Sequence, residues 1–296
     1  MVYKESELKN MSLPISTTEH EKCKHAIEMV KNALVDGGYT LNKSLSNYTN
    51  DNDTYAYYFE LRDKNYSTVT ILLQGSYANN TNVRTYSDVD ISVVSKPILP
   101  IDFSFYKTSI LKTLENYFGK NEVTRKNKSI NIKGNTNRKS IDVVPAFQID
   151  SKDIKSGIYF YTDKGIKINN YPSKQIDNEN KKNANTKYNF KKYVRIFKSL
   201  RYTMENYNYT YASKIGSFQV ESLLWNLPDE CFTEYTYYLG YGVQSIIRYL
   251  LDHKYNINNY YEANGIKTLC PTAVDLLNIR GFIDELNKFF QYNKED

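Results

Sequence analysis

Two aspartates separated by a single residue, Asp88 and Asp90, stand at the start of a run of β-branched residues. Side chains two positions apart in a β-strand project from the same face, so the two carboxylates would lie side by side. Two such charges repel each other and gain little unless a cation lies between them. The spacing therefore indicates a metal site, although a strand with two solvent-facing acids fits the same pattern.

Gly75 and Ser76 favour the first interpretation, because they follow an apolar run and come thirteen residues before Asp88. A glycine lets the backbone approach a phosphate closely, and a serine hydroxyl can donate a hydrogen bond to a phosphate oxygen. Together with the acidic pair, these residues predict a metal-dependent phosphate site.

A third carboxylate, Asp142, lies among apolar residues in the segment 140–147, SIDVVPAF. A charge in such a run is costly to bury without compensation. If this segment pairs beside the strand of Asp88 and Asp90, the three acids converge. Two metal ions roughly 4 Å apart need one bridging carboxylate and at least one more. We therefore expect two Mg²⁺ or Mn²⁺ ions held by Asp88, Asp90 and Asp142, and we expect Asp142 to accept a proton from an attacking hydroxyl.

The elements that must position these residues follow from the hydrophobic pattern. Residues 68–74 and 88–94 predict two buried strands, and residues 129–133 and 140–147 predict a strand pair joined by a turn at 134–137. Apolar residues at helical spacing predict one helix from about residue 18 to 35 and another from about 105 to 118. The polar residues 43–54 predict a loop.

From about residue 186 the pattern becomes helical, with helices predicted at 187–203, 213–226, 235–252 and 272–291. This order predicts an α+β protein with a catalytic sheet lobe over residues 1–165 and a helical lobe over residues 166–296. The helix 187–203 carries an apolar stripe beside a basic stripe of four residues. The basic stripe consists of Lys187, Lys191, Arg195 and Lys198, and a solvated surface is the commoner role for such a stripe.

Composition excludes several classes of protein. With 41% hydrophobic and 15% aromatic residues, the chain is globular and not disordered. The net charge of +6 suits anionic ligands but is too small for a histone-like protein. The three cysteines are far apart, which argues against a disulfide framework or a zinc knuckle. No signal peptide or membrane-spanning run is recognised, so we expect a cytoplasmic protein with no membrane partner.

The spacing of Gly75-Ser76, Asp88-Val89-Asp90 and Ile141-Asp142-Val143 resembles the signature of the polymerase-β-like nucleotidyltransferases. Within that superfamily the chain resembles the bacterial CD-NTases, which are relatives of cyclic GMP–AMP synthase and the oligoadenylate synthetases. The resemblance covers residues 70–226 and includes Tyr171-Pro172, VRIFKSL at 194–200, SDVDI at 87–91 and SFQVESLLWN at 217–226. It implies a polymerase-β-like sheet lobe followed by a helical lobe, with the active site in the cleft between them.

The resemblance also implies roles for residues of the helical half. Lys198 matches the lysine that holds the donor triphosphate, and Ser217 matches its serine partner. Phe218 matches an aromatic that can stack on a base, although it fits a plain core position equally well. Asn178 lies in a segment where an asparagine is associated with accepting a pyrimidine, since an amide can pair with the O4 and N3 edge of uracil. Glu221 is expected to be structural.

The activity implied is template-independent synthesis of a cyclic di- or trinucleotide from nucleoside triphosphates, as a second messenger for an effector protein in anti-phage defence. Two basic stretches, 120–140 with seven Lys and Arg residues and 181–201 with eight, fit a surface for an RNA or DNA activator, and a solvated basic face fits them at least as well. One alternative is a nucleotidyltransferase that modifies RNA, tRNA or a protein, such as a tailing enzyme or a toxin–antitoxin enzyme. A non-catalytic RNA-binding module is a further alternative, which the presence of all three acids disfavours.

Overall fold

The computed structural model describes residues 1–49, 54–63, 67–84, 86, 88–96, 102–150, 153–235 and 237–294. Ser87 of the acidic motif lies outside these ranges. The chain divides into two compact units that are not continuous segments. The sheet unit comprises Ile15–Asn80 and Tyr86–Lys174, and the helical unit comprises Met1–Pro14, Thr81–Thr85 and Gln175–Asp296. The predicted domain boundary between residues 165 and 166 stays a prediction.

A single mixed β-sheet forms the centre of the sheet unit. Its strands are β2 (Thr40–Thr49), β3 (Thr54–Arg62), β4 (Thr68–Gln74), β5 (Val89–Lys96), β6 (Val123–Arg125), β7 (Ile130–Ile132), β8 (Ile141–Gln148), β9 (Ile158–Tyr161) and β10 (Lys167–Asn170). The strand order is β10-β9-β8-β5-β4-β3-β2, and the short hairpin of β6 and β7 is joined to β8. Strands β5 and β8 are parallel, whereas the other pairs are antiparallel. The predicted strands at 68–74 and 88–94 and the predicted pair at 129–133 and 140–147 are confirmed.

Three helices belong to the same unit: α2 (Thr17–Asp36), α3 (Gly75–Ala78) and α4 (Phe103–Phe118). Helix α2 begins after Ser16, whose hydroxyl accepts a hydrogen bond from the Glu19 backbone N–H at 3.2 Å. Its core-facing side chains include Ile27, Val30 and Leu34, all fully buried. The helical spacing of apolar residues in the sequence therefore identified the buried face of α2 correctly.

The loop predicted at residues 43–54 is wrong for residues 43–49, because residues 40–49 form β2 and pair with β3 in antiparallel register from Thr40 opposite Arg62 to Thr49 opposite Thr54. Residues 50–53 lie outside the described ranges. The pairing satisfies the backbone groups of both strands, which outweighs the polar composition. Strand β2 lies at the edge of the sheet order and pairs with β3 alone. An edge strand tolerates the Asn, Ser and Lys residues that made this segment look like a loop.

The helical unit is built mostly from helices. These are α1 (Glu5–Ser12), α5 (Pro172–Asn185, within this unit from Gln175), α6 (Phe190–Asn206), α7 (Ser217–Trp225), α8 (Glu230–Thr233), α9 (Leu239–Asp252) and α10 (Ala273–Phe289). Strand β1 (Val2–Tyr3) pairs in parallel with β11 (Gln291–Tyr292). The four helices predicted in this half correspond to α6, α7, α9 and α10. Among the described residues, no helix is long and apolar enough to cross a lipid bilayer.

The basic stripe predicted on the helix 187–203, which corresponds to α6, is for the most part not a solvated face. Lys191, Arg195 and Lys198 on α6 are all buried. Lys191 Nζ donates to Asn180 Oδ1 at 2.8 Å, and Arg195 Nε donates to the Ser12 carbonyl at 2.6 Å. Partners inside the unit thus satisfy these side chains, and the interpretation as a solvated surface is wrong for them. Lys187, the fourth member of the stripe, precedes α6 and is exposed.

The first helix is held to the rest of the helical unit by a buried carboxylate. Glu5 is 2% exposed, and its two oxygens accept hydrogen bonds from the backbone N–H groups of Leu239 and Gly240 at 2.9 and 3.1 Å. The Tyr292 hydroxyl donates to the same carboxylate at 3.0 Å. Glu5 therefore satisfies N–H groups at the start of α9 that have no partner within that helix.

We expect Glu5→Ala to lower the free energy of unfolding by about 1–3 kcal/mol, because it leaves two buried N–H groups without an acceptor. Denaturant unfolding of the full chain measures this loss. Lys9→Ala, at an exposed position of the same helix, is the matched control and should change stability by about 0.5 kcal/mol or less. Equal stability of the two variants would contradict the capping role of Glu5.

Candidate active site

The turn between β4 and β5 depends on a glycine. Gly75 follows the end of β4 and has φ +69°, in the left-handed region. A Cβ atom at this position would lie 2.5 Å from Asp90 Oδ2. Glycine is required here both by the backbone angle and by the close approach of the carboxylate. Ser76, the next residue, is partly exposed on the short helix α3.

The parallel pairing of β5 and β8 brings two of the predicted acids together. Asp90 and Asp142 are register partners on these strands, and Gln74 at the end of β4 is the partner of Asp90 on the other side. Asp88 directly precedes β5, where the Val89 N–H donates to the Ser140 carbonyl at 3.0 Å. The pairing expected for the strand of Asp142 is therefore confirmed.

Electrostatic repulsion is already present among these carboxylates. Partial burial raises the pKa of Asp88, and the negative charge of Asp142 raises it further. The positive charges of Lys126 and Lys139 and a hydrogen bond with Ser140 oppose this shift but do not cancel it. A cation placed near Asp88 and Asp142 would relieve the repulsion.

In this structure a lysine supplies the positive charge beside Asp142. Lys126 Nζ lies 3.1 and 3.3 Å from the two oxygens of Asp142, and the Lys126 side chain is 47% exposed. Asn131 Nδ2 also donates to Asp142 Oδ1, at 2.9 Å. Sequence reasoning missed both partners. Asn131 is the register partner of Asp142 across β7 and β8, so a predicted hairpin register would have found it.

The chemistry of the three aspartates suits a hard cation, since each side chain would offer carboxylate oxygens as ligands. Within the described ranges, however, no three side chains of His, Cys, Asp or Glu are arranged so that they could hold a metal ion. The three carboxylates are therefore not yet in a ligating arrangement, and Lys126 occupies the approach to Asp142.

In the helical unit, Lys198 lies in a buried ion pair. It is 1% exposed and contacts the carboxylate of Glu221, which is 2% exposed. Lys198 Nζ also donates to the Thr81 carbonyl at 3.2 Å and to the Thr81 hydroxyl at 3.1 Å. All three ammonium hydrogens are thus engaged, so contact with a triphosphate would require one of these bonds to be exchanged.

The remaining predicted residues of this unit have different surroundings. Ser217 is the first residue of α7 and exchanges a hydrogen bond with the Tyr202 hydroxyl at 2.9 Å. Phe218 is 37% exposed, which does not fit a plain core position. Asn178 lies on α5 and not in a polar loop, and its Nδ2 donates to the Ala263 carbonyl at 2.9 Å. The nucleotide-binding roles of these residues stay predictions.

Two family profiles match the chain. Residues 59–164 match the nucleotidyltransferase domain, and residues 177–291 match the C-terminal helical domain of the cGAS/DncV-like nucleotidyltransferases. Together they cover most of the sheet unit and most of the helical unit.

Individual relatives match over almost their full lengths. A cyclic GMP-AMP synthase, CdnE03 of Staphylococcus schleiferi, is 35% identical, with 100% of this chain and 99% of the relative covered. A cyclic dipyrimidine nucleotide synthase, CdnE of Cecembia lonarensis, is 32% identical, with 90% and 87% covered. The structure of the Elizabethkingia meningoseptica CdnE cyclic dinucleotide synthase with GTP and Apcpp has a TM-score of 0.75 and 29% identity, with 96% and 97% covered. The chain therefore belongs to the CD-NTases, a family of nucleotidyltransferases with a polymerase-β-like fold.

Proposed function

We propose that Asp88, Asp90 and Asp142 bind divalent metal ions during cyclic-nucleotide synthesis. The chain is a nucleotidyltransferase that makes a cyclic oligonucleotide from nucleoside triphosphates, as its relationship to the CdnE synthases establishes. One observation carries the assignment of the acids: Asp90 and Asp142 are direct neighbours on β5 and β8, and Asp90 packs against Gly75.

Mg²⁺ or Mn²⁺, as two ions, would be held by the oxygens of these carboxylates and would neutralise charge that develops on the phosphates. Burial and, after it, repulsion by Asp142 raise the pKa of Asp88, and this unfavourable environment for a carboxylate supports the assignment. Lys126 must leave Asp142 for a cation to reach it. The ion pair of Lys126 and Asp142 is exposed to water, and such pairs contribute little to stability, so the exchange requires little free energy.

The protein groups have separate tasks in the proposed reaction. The Gly75 turn and the Ser76 hydroxyl would contact the donor triphosphate, and the family resemblance assigns triphosphate contacts to Lys198 and Ser217 as well. An acceptor ribose hydroxyl attacks the α-phosphorus in line, a new O–P bond forms, and the bond to pyrophosphate breaks. Asp142 accepts the hydroxyl proton, and Asn131 fixes the Asp142 carboxylate through its 2.9 Å hydrogen bond. A second transfer within the linear product closes the ring.

The family does not determine which bases the cyclic product contains. Relatives of comparable similarity are named as a cyclic GMP-AMP synthase and as a cyclic dipyrimidine nucleotide synthase. We propose that Asn178 takes part in this choice. The bond to the Ala263 carbonyl uses one amide hydrogen, which leaves Oδ1 and a second hydrogen to pair with a pyrimidine edge.

We further propose that the product is a second messenger in anti-phage defence and acts on an effector protein. An RNA or DNA activator would meet the exposed lysines of residues 120–140. The stretch 181–201 contributes little to such a surface, because most of its basic residues are buried, namely Lys182, Lys191, Arg195, Lys198 and Arg201.

We expect the double variant Asp88→Asn with Asp90→Asn to lose pyrophosphate release by a factor on the order of 10² or more, because the metal-binding charge is removed. Release from the four nucleoside triphosphates is measured with Mg²⁺, with Mn²⁺ and with a chelator, which should abolish it. The control is Asp36→Asn with Asp150→Asn, which changes two exposed acids of the same unit. Wild-type turnover in the first variant would exclude the metal site.

We expect the wild-type enzyme to incorporate UTP, and we expect Asn178→Ser to shift its product towards rings that contain only purines. A serine cannot present both a donor and an acceptor across the edge of uracil. Products are separated after phosphatase treatment and identified by mass. Asn185→Ser, on the exposed end of the same helix, should leave the product unchanged. A wild-type product of adenine and guanine alone would exclude this role of Asn178.

We expect charge reversal at Lys120 and Lys128 to remove any stimulation by RNA or DNA and to leave basal activity unchanged. Arg125 and Lys126 do not suit this test, because they pair with Asp163 and Asp142. Binding should weaken steeply with salt as counterions are released. If neither structured RNA nor DNA changes the rate of the wild-type enzyme, the activator proposal fails.

A further inference from the structure

A cluster of two glutamates and one lysine is buried in the helical unit, away from the three aspartates in the sequence. Glu179 on α5 is fully buried, and Glu221 on α7 and Lys198 on α6 are 2% and 1% exposed. Two carboxylates and a single ammonium give a net negative charge if both acids are ionised. An uncompensated charge in such a place is strongly unfavourable, so one acid should carry a proton.

The hydrogen bonds around the cluster identify which acid is protonated. Both oxygens of Glu221 accept hydrogen bonds, Oε1 from the Thr81 hydroxyl at 2.8 Å and Oε2 from Lys198. Glu179 Oε1 accepts from Gln175 Nε2 at 2.9 Å, but Glu179 Oε2 is buried and receives no donor from the part of the chain that the structure describes. The Glu179 and Glu221 side chains are hydrogen-bonding neighbours, so the Glu179 oxygen that lacks a donor is the place for the proton between them.

We infer that Glu179 is a neutral acid that donates a hydrogen bond to the Glu221 carboxylate, and that the two glutamates are positioning residues for Lys198. The positioning role depends on the proposed binding of a triphosphate by Lys198. The protonation of Glu179 does not depend on that proposal.

The titration of the two acids supports this assignment. Burial, followed by the negative charge of Glu221, raises the pKa of Glu179 well above its ordinary value. Burial alone would also raise the pKa of Glu221, but the charge of Lys198 and the hydrogen bonds from Glu179, Lys198 and Thr81 outweigh burial and lower it. The groups that face Glu179 are Gln175 on its own helix, Glu221 on α7 and Lys198 on α6.

The shared proton has a consequence for Lys198. To contact a triphosphate, the ammonium must give up a bond, and the two bonds to Thr81 go to neutral acceptors. If Lys198 turns away, Glu221 still accepts hydrogen bonds from Glu179 and from the Thr81 hydroxyl. The acid pair therefore keeps the Glu221 carboxylate satisfied while Lys198 exchanges a partner, which a lone buried glutamate would not allow.

A pair of glutamine substitutions separates the two acids. Glutamine copies a protonated glutamate, with one acceptor oxygen and one donor group, so Glu179→Gln preserves the bonds with Gln175 and Glu221. Glu221→Gln removes the charge opposite Lys198 and places an amide where Thr81, Lys198 and Glu179 all need acceptors. We expect Glu221→Gln to lower the melting temperature by roughly 5 °C or more, and Glu179→Gln not to lower it at pH 7.

The dependence of stability on pH gives a second readout. The pKa of Glu179 is higher in the folded chain than its ordinary value of 4.5, so its contribution to stability is complete below about pH 4.5 and is lost as the pH rises towards the folded pKa. In that window the unfolding equilibrium constant of the wild type should grow about tenfold per pH unit relative to Glu179→Gln. Glu205→Gln, which changes a partly exposed carboxylate paired with Arg201, is the control and should show no such trend.

Steady-state kinetics test the positioning role. We expect Glu221→Gln to raise the KM for the nucleoside triphosphates by more than it lowers kcat, and Glu179→Gln, which keeps a donor to Glu221, to raise the KM by less. The control Glu205→Gln should change neither by more than about twofold. The assignment of the proton would be overturned if Glu179→Gln lost as much stability as Glu221→Gln. It would also be overturned if the difference in stability between the wild type and Glu179→Gln did not change with pH. If the stability results hold and neither variant changes KM, the positioning role fails while the proton assignment stands. None of these measurements depends on the three aspartates. A failure of this inference can therefore be distinguished from a failure of the proposed metal site.

Discussion

The parallel pairing of β5 with β8 is the constraint on which the catalytic half of the molecule depends. These strands are about fifty residues apart in the sequence, yet their register places Asp90 opposite Asp142 and Val89 opposite Ile141. The alternate residues Val89, Ile91 and Val143 are fully buried. A shift of one residue would expose this apolar face and bury the acids, so packing on one face fixes the positions of the carboxylates on the other.

The sequence predicted this part of the fold because its strands are apolar and β-branched and its turn residues are distinctive. Strand β2 was missed because its composition is polar and its stability comes from pairing at the sheet edge. Strand β3 was not predicted either, although it lies between β4 and β2 and its alternate residues Phe59 and Leu61 are fully buried. Helix α5 was missed for a reason similar to that for β2. It has few apolar residues, and the side chains that it buries include Glu179, Lys182 and Asn183. No local pattern shows that such residues are inside, since their partners lie far along the chain.

The basic residues of α6 show the same limit for the candidate site. Spacing along the helix placed Lys191, Arg195 and Lys198 on one side, and the usual interpretation of a charged stripe is a solvated surface. Lys198 is instead buried against Glu221 and against Thr81, which is 117 residues away in the chain. The pairing of the strands that carry Asp90 and Asp142 and the turn at Gly75 could be predicted from the sequence. The countercharges could not be predicted from the sequence, because they depend on tertiary packing. These are Lys126 beside Asp142 and Glu221 beside Lys198.

The two lysine–carboxylate pairs differ in how far they are exposed to water, and this determines how easily each can be separated. The side chains of Lys126 and Asp142 are 47% and 23% exposed, whereas those of Lys198 and Glu221 are each 2% exposed. Water and salt weaken the first pair, so a cation can replace Lys126 at little cost in free energy. The second pair can be separated only if both charges keep other partners, because an unpaired charge inside the unit is strongly destabilising. The proton on Glu179 supplies that partner to Glu221, and a triphosphate would supply it to Lys198. Each unit therefore contains a pair of a lysine and a carboxylate, but the two pairs behave differently. In the sheet unit the lysine can be displaced by a cation, whereas in the helical unit the lysine can leave only when both charges gain other hydrogen-bonding partners.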